Sequence, residues 1–264
     1  MPNYYAHLQF GTQVLAALPK SLRTRLEGEK AAYILGQYGP DPLFFYRLIR
    51  NGGAVRAIGV RIHHQPVRPV MERLRWAVEE ETPFSAGYAA GFLCHFALDS
   101  CCHAYIKQRE TDSRIEHTRI ESEFDRFLME RNGVDPRRET AMPAPRMPDA
   151  FYGMLEQYVY PGIKGRQYRE GLDFYRKLAG WHTRAAGSKA AGIAWGLAAK
   201  VSPRAAVLRD LVLKRAASPA AESCNGPLLA LLQEEAAVTA QKLEEFFNGE
   251  PLDAWFDRNF YGVG

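Results

Sequence analysis

The chain has 264 residues, of which 47% are hydrophobic and 24% are charged, so it can bury a sizeable core. This composition excludes intrinsically disordered, collagen-like and low-complexity proteins. The formal net charge of +4 is too small to indicate a nucleic-acid-binding surface, although it is compatible with an anionic substrate. Six of the seven histidines fall within the first 117 residues, and this crowding directs attention to the N-terminal half.

Targeting signals and membrane segments are not evident in the sequence. The first residues lack a basic region followed by an apolar one, so we expect a cytoplasmic protein. The longest uncharged run, residues 82–98, is shorter than the roughly 20 apolar residues that a bilayer-spanning helix needs. We therefore expect no transmembrane segment, although peripheral membrane contact is compatible with the sequence. The four cysteines lack a CxxC spacing and the density of a disulfide scaffold, which predicts reduced thiols.

The hydrophobic pattern predicts an all-helical protein, because apolar positions recur every three or four residues and β-branched residues are sparse. A rigid turn at residues 39–42 (GPDP) breaks the pattern. The helices expected before residue 110 cover about residues 5–18, 21–37, 66–80 and 84–106. The last of these is apolar nearly all round, which is typical of a helix at the centre of a domain.

Further helices are expected in the C-terminal half. Residues 113–116 (SRIE) fit a capping box, so we expect a helix from there to about Glu130. A long loop over residues 132–148 and three or four more helices should follow, and residues 185–215 look like a solvated or amphipathic helical pair. We expect one all-helical domain over residues 1–264. Its metal-binding core would lie in residues 1–135, and residues 149–264 would supply the additional helices.

Two consecutive predicted helices carry potential metal ligands at a spacing of four residues. His95, Asp99 and His103 share one face of the apolar central helix, where an ionised carboxylate is costly unless it is paired or bound to a metal. His117 and Glu121 repeat this spacing on the next helix. Either pattern alone is more often a core hydrogen bond or a surface ion pair. Together, imidazoles and carboxylates without thiolates are typical of catalytic zinc sites.

The order of these motifs resembles that of the zinc-dependent phospholipase C family over roughly residues 5–130. The matching motifs are residues 87–95 (GYAAGFLCH), Asp99, residues 103–105 (HAY), His117 and Glu121, preceded by residues 39–41 (GPD) and 62–63 (IH). The resemblance implies an all-helical fold, shared with the related single-strand-specific zinc nucleases. It also implies a cluster of up to three zinc ions that hydrolyses phosphoesters.

The resemblance implies that Asp99 bridges two zinc ions. The other ligands that it implies are Asp41, His63 and His95 for one ion, His103, His117 and Glu121 for a second, and His7 for a third. His64 competes with His63 for one position, and the flanking residues 59–62 favour His63. Secreted members of the family bind the third zinc through an N-terminal tryptophan, whereas this sequence opens with MPN, so we expect two or three ions.

The activity implied is a phospholipase C-like hydrolysis of a phosphodiester, in a phospholipid or a small phosphoester, by metal-activated water. Asp41 would be a ligand and, in an equally weighted alternative, would also orient or deprotonate the attacking water. A nuclease or nucleotidase is the first competing reading, but it predicts a basic, aromatic groove that the modest charge does not supply, so nucleic acid is not the expected partner. The second is a catalytically inactive, metal-stabilised helical interaction protein, against which the intact ligand set argues.

Overall fold

The computed structural model describes residues 4–48, 52–136, 139, 143–187, 190, 193, 197 and 218–264 of the chain. All regular structure in these residues is helical, which confirms the expected fold class. In chain order, the helices are α1 (Tyr4–Ala17), α2 (Lys20–Gly28), α3 (Lys30–Gly36), α4 (Pro42–Phe45), α5 (Gly53–His64), α6 (Arg68–Glu79), α7 (Ser85–Ser113), α8 (His117–Arg131), α9 (Asp149–Met154), α10 (Gly165–Gly187), α11 (Pro219–Glu222) and α12 (Asn225–Phe247). A π-helical turn, Leu155–Val159, extends α9, and a 3₁₀ turn, Ala254–Asp257, precedes the C-terminus.

Helix α7 is the centre of the molecule, as its apolar sequence predicts. Its residues 85–100 are all buried, and α1, α3, α6 and α12 pack around it. Helix α3 crosses α7 very closely, because a Cβ atom on Gly36 or on Gly91 would overlap a backbone oxygen of the opposite helix. The crossing brings the C-terminal end of α3 against the turn of α7 that carries His95.

The helix predicted over residues 21–37 is divided in two at Glu29. This residue leaves the helical conformation, with φ −113° and ψ 28°, and its carboxylate accepts a 2.7 Å hydrogen bond from the backbone amide of Gly87. The bond satisfies one of the free amides in the first turn of α7. A tertiary contact therefore overrides the continuous helical pattern of the sequence.

The predicted capping box at residues 113–116 is wrong. Ser113 is the last residue of α7, and Arg114 adopts a left-handed conformation with φ 54° that ends this helix. Helix α8 begins at His117, and its N-cap residue Glu116 makes no side-chain capping bond. The difference arises because α7 continues past Ile106 to Ser113. Polar side chains in this stretch bond to the helix backbone, as Thr111 does to the carbonyl of Lys107.

The C-terminal half of the described chain packs against the N-terminal half. Helix α10 lies against α4, while α12 contacts both α1 and α7. Residues 132–136 and 143–148 form no helix, in agreement with the predicted loop. The predicted helical pair at residues 185–215 falls almost wholly outside the described residues. None of the helices in the described part of the chain combines the length and the apolar character needed to cross a bilayer.

Candidate metal centre

The eight predicted ligands converge on the middle of α7 although they come from five parts of the chain. They are His7 on α1, Asp41 just before α4, His63 on α5, His95, Asp99 and His103 on α7, and His117 and Glu121 on α8. Seven of them are buried, and the side chain of His117 is 22% exposed. The His117 end of the cluster is therefore the end nearest to solvent.

The donor atoms form three groups, in each of which all atoms lie within 4.8 Å of one another. The groups are His7, His95 and Asp99; Asp41, His63 and His95; and His103, His117 and Glu121. We call them the His7, Asp41 and His103 groups. His95 is shared by the first two groups, so these two lie side by side.

The carboxylate of Asp99 lies between the groups. Its Oδ1 atom is 3.3 Å from Nε2 of His7 and 3.6 Å from Nε2 of His103. Its Oδ2 atom is 3.4 Å from Nε2 of His95 and 4.0 Å from Nε2 of His63. Each oxygen thus faces two imidazoles, an arrangement that allows one carboxylate to serve two cations.

Three of the imidazoles are held by hydrogen bonds from Nδ1 to backbone carbonyls. His63 bonds to Gly59 at 2.8 Å, His95 to Gln37 at 3.1 Å, and His103 to Phe260 at 2.8 Å. Because the Nδ1–H group donates in each bond, the lone pair of each imidazole is on Nε2, directed into the cluster. Backbone carbonyls orient metal-binding histidines in proteins in the same way.

Several polar atoms in the cluster lack a hydrogen-bond partner among the described residues. They are Nε2 of His63, Nε2 of His95, Oδ2 of Asp99 and both carboxylate oxygens of Asp41. Buried polar atoms without partners are costly. In addition, an imidazole lone pair and the carboxylate oxygen that it faces repel each other. A cation between them removes both penalties. The mixed nitrogen and oxygen donors suit Zn²⁺, so these residues fit zinc.

The carboxylates of the cluster are held in their ionised forms. Burial opposes ionisation of Asp99, but the imidazoles of His103 and His95 outweigh it and hold the pKa of Asp99 well below its usual range. Burial is likewise outweighed at Asp41 by the neighbouring imidazoles of His63 and His95, and the pKa of Asp41 is lowered. The pKa of Glu121 also lies below its usual range, because nearby imidazoles outweigh the effect of burial. Ionised carboxylates are the forms that bind metal ions.

The pKa values of two histidines on α7 are shifted in opposite directions. Burial lowers the pKa of His95 to about 4, even though Asp99 favours the charged form. His103 is also buried, but Asp99 and Glu121 outweigh this effect and raise its pKa. In the absence of a metal, a proton therefore satisfies the lone pair of His103 more readily than that of His95.

The loop that carries Asp41 is clamped by three tyrosines that the sequence did not point to. The hydroxyls of Tyr88, Tyr160 and Tyr168 donate to the carbonyl of Gly39 at 3.4, 2.6 and 3.2 Å. Gly39 has φ +50°, and a Cβ atom there would overlap the ring of His95. The loop therefore requires glycine at this position, and Asp41 is held rigidly two residues further on.

Other residues that position ligands were also missed. The carboxylate of Asp125 accepts hydrogen bonds from the amides of Tyr5 at 3.1 Å and Ala6 at 2.9 Å, which caps the first turn of α1 just before His7. Glu110 on α7 lies 4.0 Å from Nδ1 of His117. A local pattern could not identify these contacts, because Asp125 acts on residues almost 120 positions away.

The structure separates His63 from His64. His63 is buried, with Nε2 at 3.3 Å from Oδ1 of Asp41. His64 is exposed, and its ring stacks on that of Tyr261 with centroids 4.8 Å apart. His63 is therefore the histidine that joins the cluster.

Comparison with known proteins agrees with the motifs and the geometry. The family model described as zinc dependent phospholipase C matches residues 6–170, which is more than half of the chain and includes all eight residues of the cluster. No curated protein and no solved structure gives a significant match. The chain belongs to the zinc-dependent phospholipase C family.

Proposed function

We propose that this protein is a zinc-dependent phosphodiester hydrolase that acts, like a phospholipase C, on a phospholipid or a related small phosphoester. The observation that carries the proposal is the carboxylate of Asp99, which faces imidazole nitrogens on both of its oxygens in a buried site. Family membership supports the reaction class. The nitrogen and oxygen donors of the cluster suit zinc and support it as the cofactor.

The three groups differ in how many donors they offer. The Nε2 atom of His95 can bind one ion, and we assign it to the Asp41 group, which then has three donors of its own. The His103 group also has three. The His7 group keeps only His7 and the shared carboxylate of Asp99. We therefore propose two tightly bound zinc ions and a third, weaker one.

Zinc bound at these groups would hold phosphoryl oxygens, acidify a water molecule and offset the charge of the in-line transition state. The residues of the chain fix where this occurs. Asp41 would be the catalytic residue, since both of its oxygens are buried and neither makes a hydrogen bond with the described residues. One oxygen can therefore bind an ion while the other orients the attacking water or takes its proton. The tyrosine clamp on Gly39 would keep this carboxylate in position during turnover.

Substrate hydrolysis by the zinc-loaded protein tests the proposal. The panel consists of phosphatidylcholine vesicles, p-nitrophenyl phosphorylcholine, bis(p-nitrophenyl) phosphate, a single-stranded oligonucleotide and a nucleoside monophosphate. We expect hydrolysis of the phosphocholine diesters at the bond between phosphorus and the glycerol or nitrophenyl oxygen, so that this alcohol leaves and phosphocholine is released. We expect Asp99→Asn to lose this activity. Hydrolysis of only the oligonucleotide or the nucleotide would instead establish a nuclease or a nucleotidase.

The same panel separates an enzyme from an interaction protein. If the protein bound zinc at two or more ions per chain and hydrolysed none of the five substrates, the hydrolase assignment would be contradicted. A protein with less than one zinc per chain, and with activity indifferent to chelators, would contradict the zinc site itself.

A further inference from the structure

The C-terminal end of the chain returns to the metal cluster. The backbone amide of Phe260 donates a 3.2 Å hydrogen bond to the carbonyl of His63, and its own carbonyl accepts the 2.8 Å bond from Nδ1 of His103. One residue thus connects α5 and α7 beside the site. It lies 90 positions beyond the end of the family match.

The side chains of the same segment cover the cluster. The fully buried ring of Phe260 lies 4.7 Å from the ring of His63 and 5.7 Å from that of His95, measured between centroids. The ring of Tyr261 lies 5.3 Å from that of His103. Aromatic contacts therefore restrict three of the imidazoles.

The segment is held in one conformation by its own turn and by α7. The side-chain oxygen of Asn259 accepts hydrogen bonds from the amides of Tyr261 at 2.9 Å and Val263 at 3.2 Å. Gly262 has φ +73°, and a Cβ atom there would overlap the carbonyl oxygen of Ser100, which follows Asp99 on α7. Residues 258–262, the C-terminal segment, are thus fitted to the helix that carries the ligands.

We propose that the C-terminal segment positions His103 and that the ion bound by the His103 group depends on it. The imidazoles of His63 and His95 are oriented by the backbone carbonyls of Gly59 and Gln37. Both carbonyls belong to the first 64 residues of the chain. The orientation of His103 depends instead on the carbonyl of Phe260. The inference rests on the proposed function only in that the cluster binds zinc.

Substitution of Gly262 tests the inference, with Gly249 as a matched control. Both glycines have positive φ, +73° and +77°, but at Gly249 a Cβ atom meets no atom of the described residues within 4 Å. We expect Gly262→Ala to bind one zinc ion fewer per chain than wild type after dialysis, or to bind that ion about 10- to 100-fold more weakly, the usual cost of losing an outer partner of a ligand. Gly249→Ala should retain the wild-type zinc content.

A second pair of variants addresses the turn without a steric clash. Asn259→Ala removes the acceptor of two backbone amides, whereas Asn259→Asp keeps a side-chain oxygen at this place. Zinc content should fall by one ion in Asn259→Ala and recover in Asn259→Asp, while far-UV circular dichroism stays helical in both. If Gly262→Ala fails to fold, this pair decides the question.

The outcomes distinguish this inference from the proposed function. Wild-type zinc content in both Gly262→Ala and Asn259→Ala would overturn the role of the C-terminal segment and leave the zinc enzyme intact. An absence of zinc from the wild-type protein would overturn both. A loss of all ions together, rather than of one, would also contradict the specific link to His103.

Discussion

The Nε2 atom of His95 lies 3.4 Å from Oδ2 of Asp99, one turn further along α7, and neither atom makes a hydrogen bond within the described part of the chain. The Nδ1–H group of His95 already donates to the carbonyl of Gln37, so the lone pair on Nε2 faces the carboxylate. Two acceptors held against each other in a buried site destabilise the fold unless a cation separates them. The pair therefore links metal binding to stability.

Asp99→Asn should release zinc from more than one group. The change keeps the size of the side chain but removes the charge shared by the His7, Asp41 and His103 groups. We expect zinc affinity to fall by more than the roughly 10- to 100-fold that the loss of an outer partner costs, with hydrolysis lost in parallel. Zinc per chain, measured by atomic emission, checks this. Asp112→Asn, an exposed change on the same helix, should leave the zinc content unaltered.

Removal of zinc should destabilise the whole domain, because the lone pairs and carboxylates of the cluster are then left facing one another. Each ion adds about 4 kcal/mol when its free concentration is 1,000 times its dissociation constant, so chelation should lower the melting temperature strongly and added zinc should restore it. Thermal unfolding with and without chelator measures this. Magnesium should not substitute, because imidazole donors do not suit it. An identical melting temperature in both conditions would contradict the buried site.

Much of the site was predictable from the sequence, because His95, Asp99 and His103 lie on one helix at a spacing of four, where local geometry alone brings them together. His7 and Asp41 belong to other elements, and only the family resemblance linked them to the cluster. The carbonyl of Phe260 could not be predicted, since any residue carries the same backbone group and its use depends on how residues 258–262 fold back onto α7.

The two errors in the fold both concern the boundaries of helices at or next to α7. A local capping signal at Ser113 was outweighed by the continuation of α7, and a continuous helical pattern was broken at Glu29 because its carboxylate caps α7. At Glu29 a contact with α7 formed over 58 positions of sequence ends the neighbouring helix. At Ser113 α7 itself continues through side-chain bonds four residues apart, such as that of Thr111 to Lys107. Element type was therefore predictable, whereas these boundaries were not.

The zinc-free protein should lose stability in acid through His95. The pKa of His95 is lowered to about 4 in the folded state, against 6.5 in the unfolded chain. The contribution of neutral His95 to the free energy of unfolding is therefore complete above pH 6.5 and is lost as the pH falls towards 4. The difference in unfolding free energy between wild type and His95→Gln should shrink by about 3 kcal/mol over this range, at 1.36 kcal/mol per pKa unit. Urea unfolding in chelator at pH 7 and pH 4 measures it.

His103 supplies a control of opposite sign. The pKa of His103 is raised in the folded state. The contribution of protonated His103 to the free energy of unfolding is therefore present below pH 6.5 and is lost as the pH rises through the raised pKa. The difference in unfolding free energy between wild type and His103→Gln should therefore grow as the pH falls. Parallel behaviour of the two variants would contradict the protonation states assigned to these imidazoles.

His63 and His64 offer a direct test of the cluster, because they are adjacent in sequence and differ in exposure. His63 is buried and faces Asp41, whereas His64 is exposed and contacts the ring of Tyr261. His63→Gln removes a donor from the Asp41 group, so it should lower zinc content by at least one ion per chain and abolish hydrolysis. His64→Gln loses a surface ring contact outside the cluster and should keep both the zinc content and the hydrolysis. Since each substitution removes one imidazole from the same turn of α5, a nonspecific effect on the helix would affect the two variants alike. Loss of zinc from His64→Gln with retention in His63→Gln would mean that α5 presents its other face to the metal.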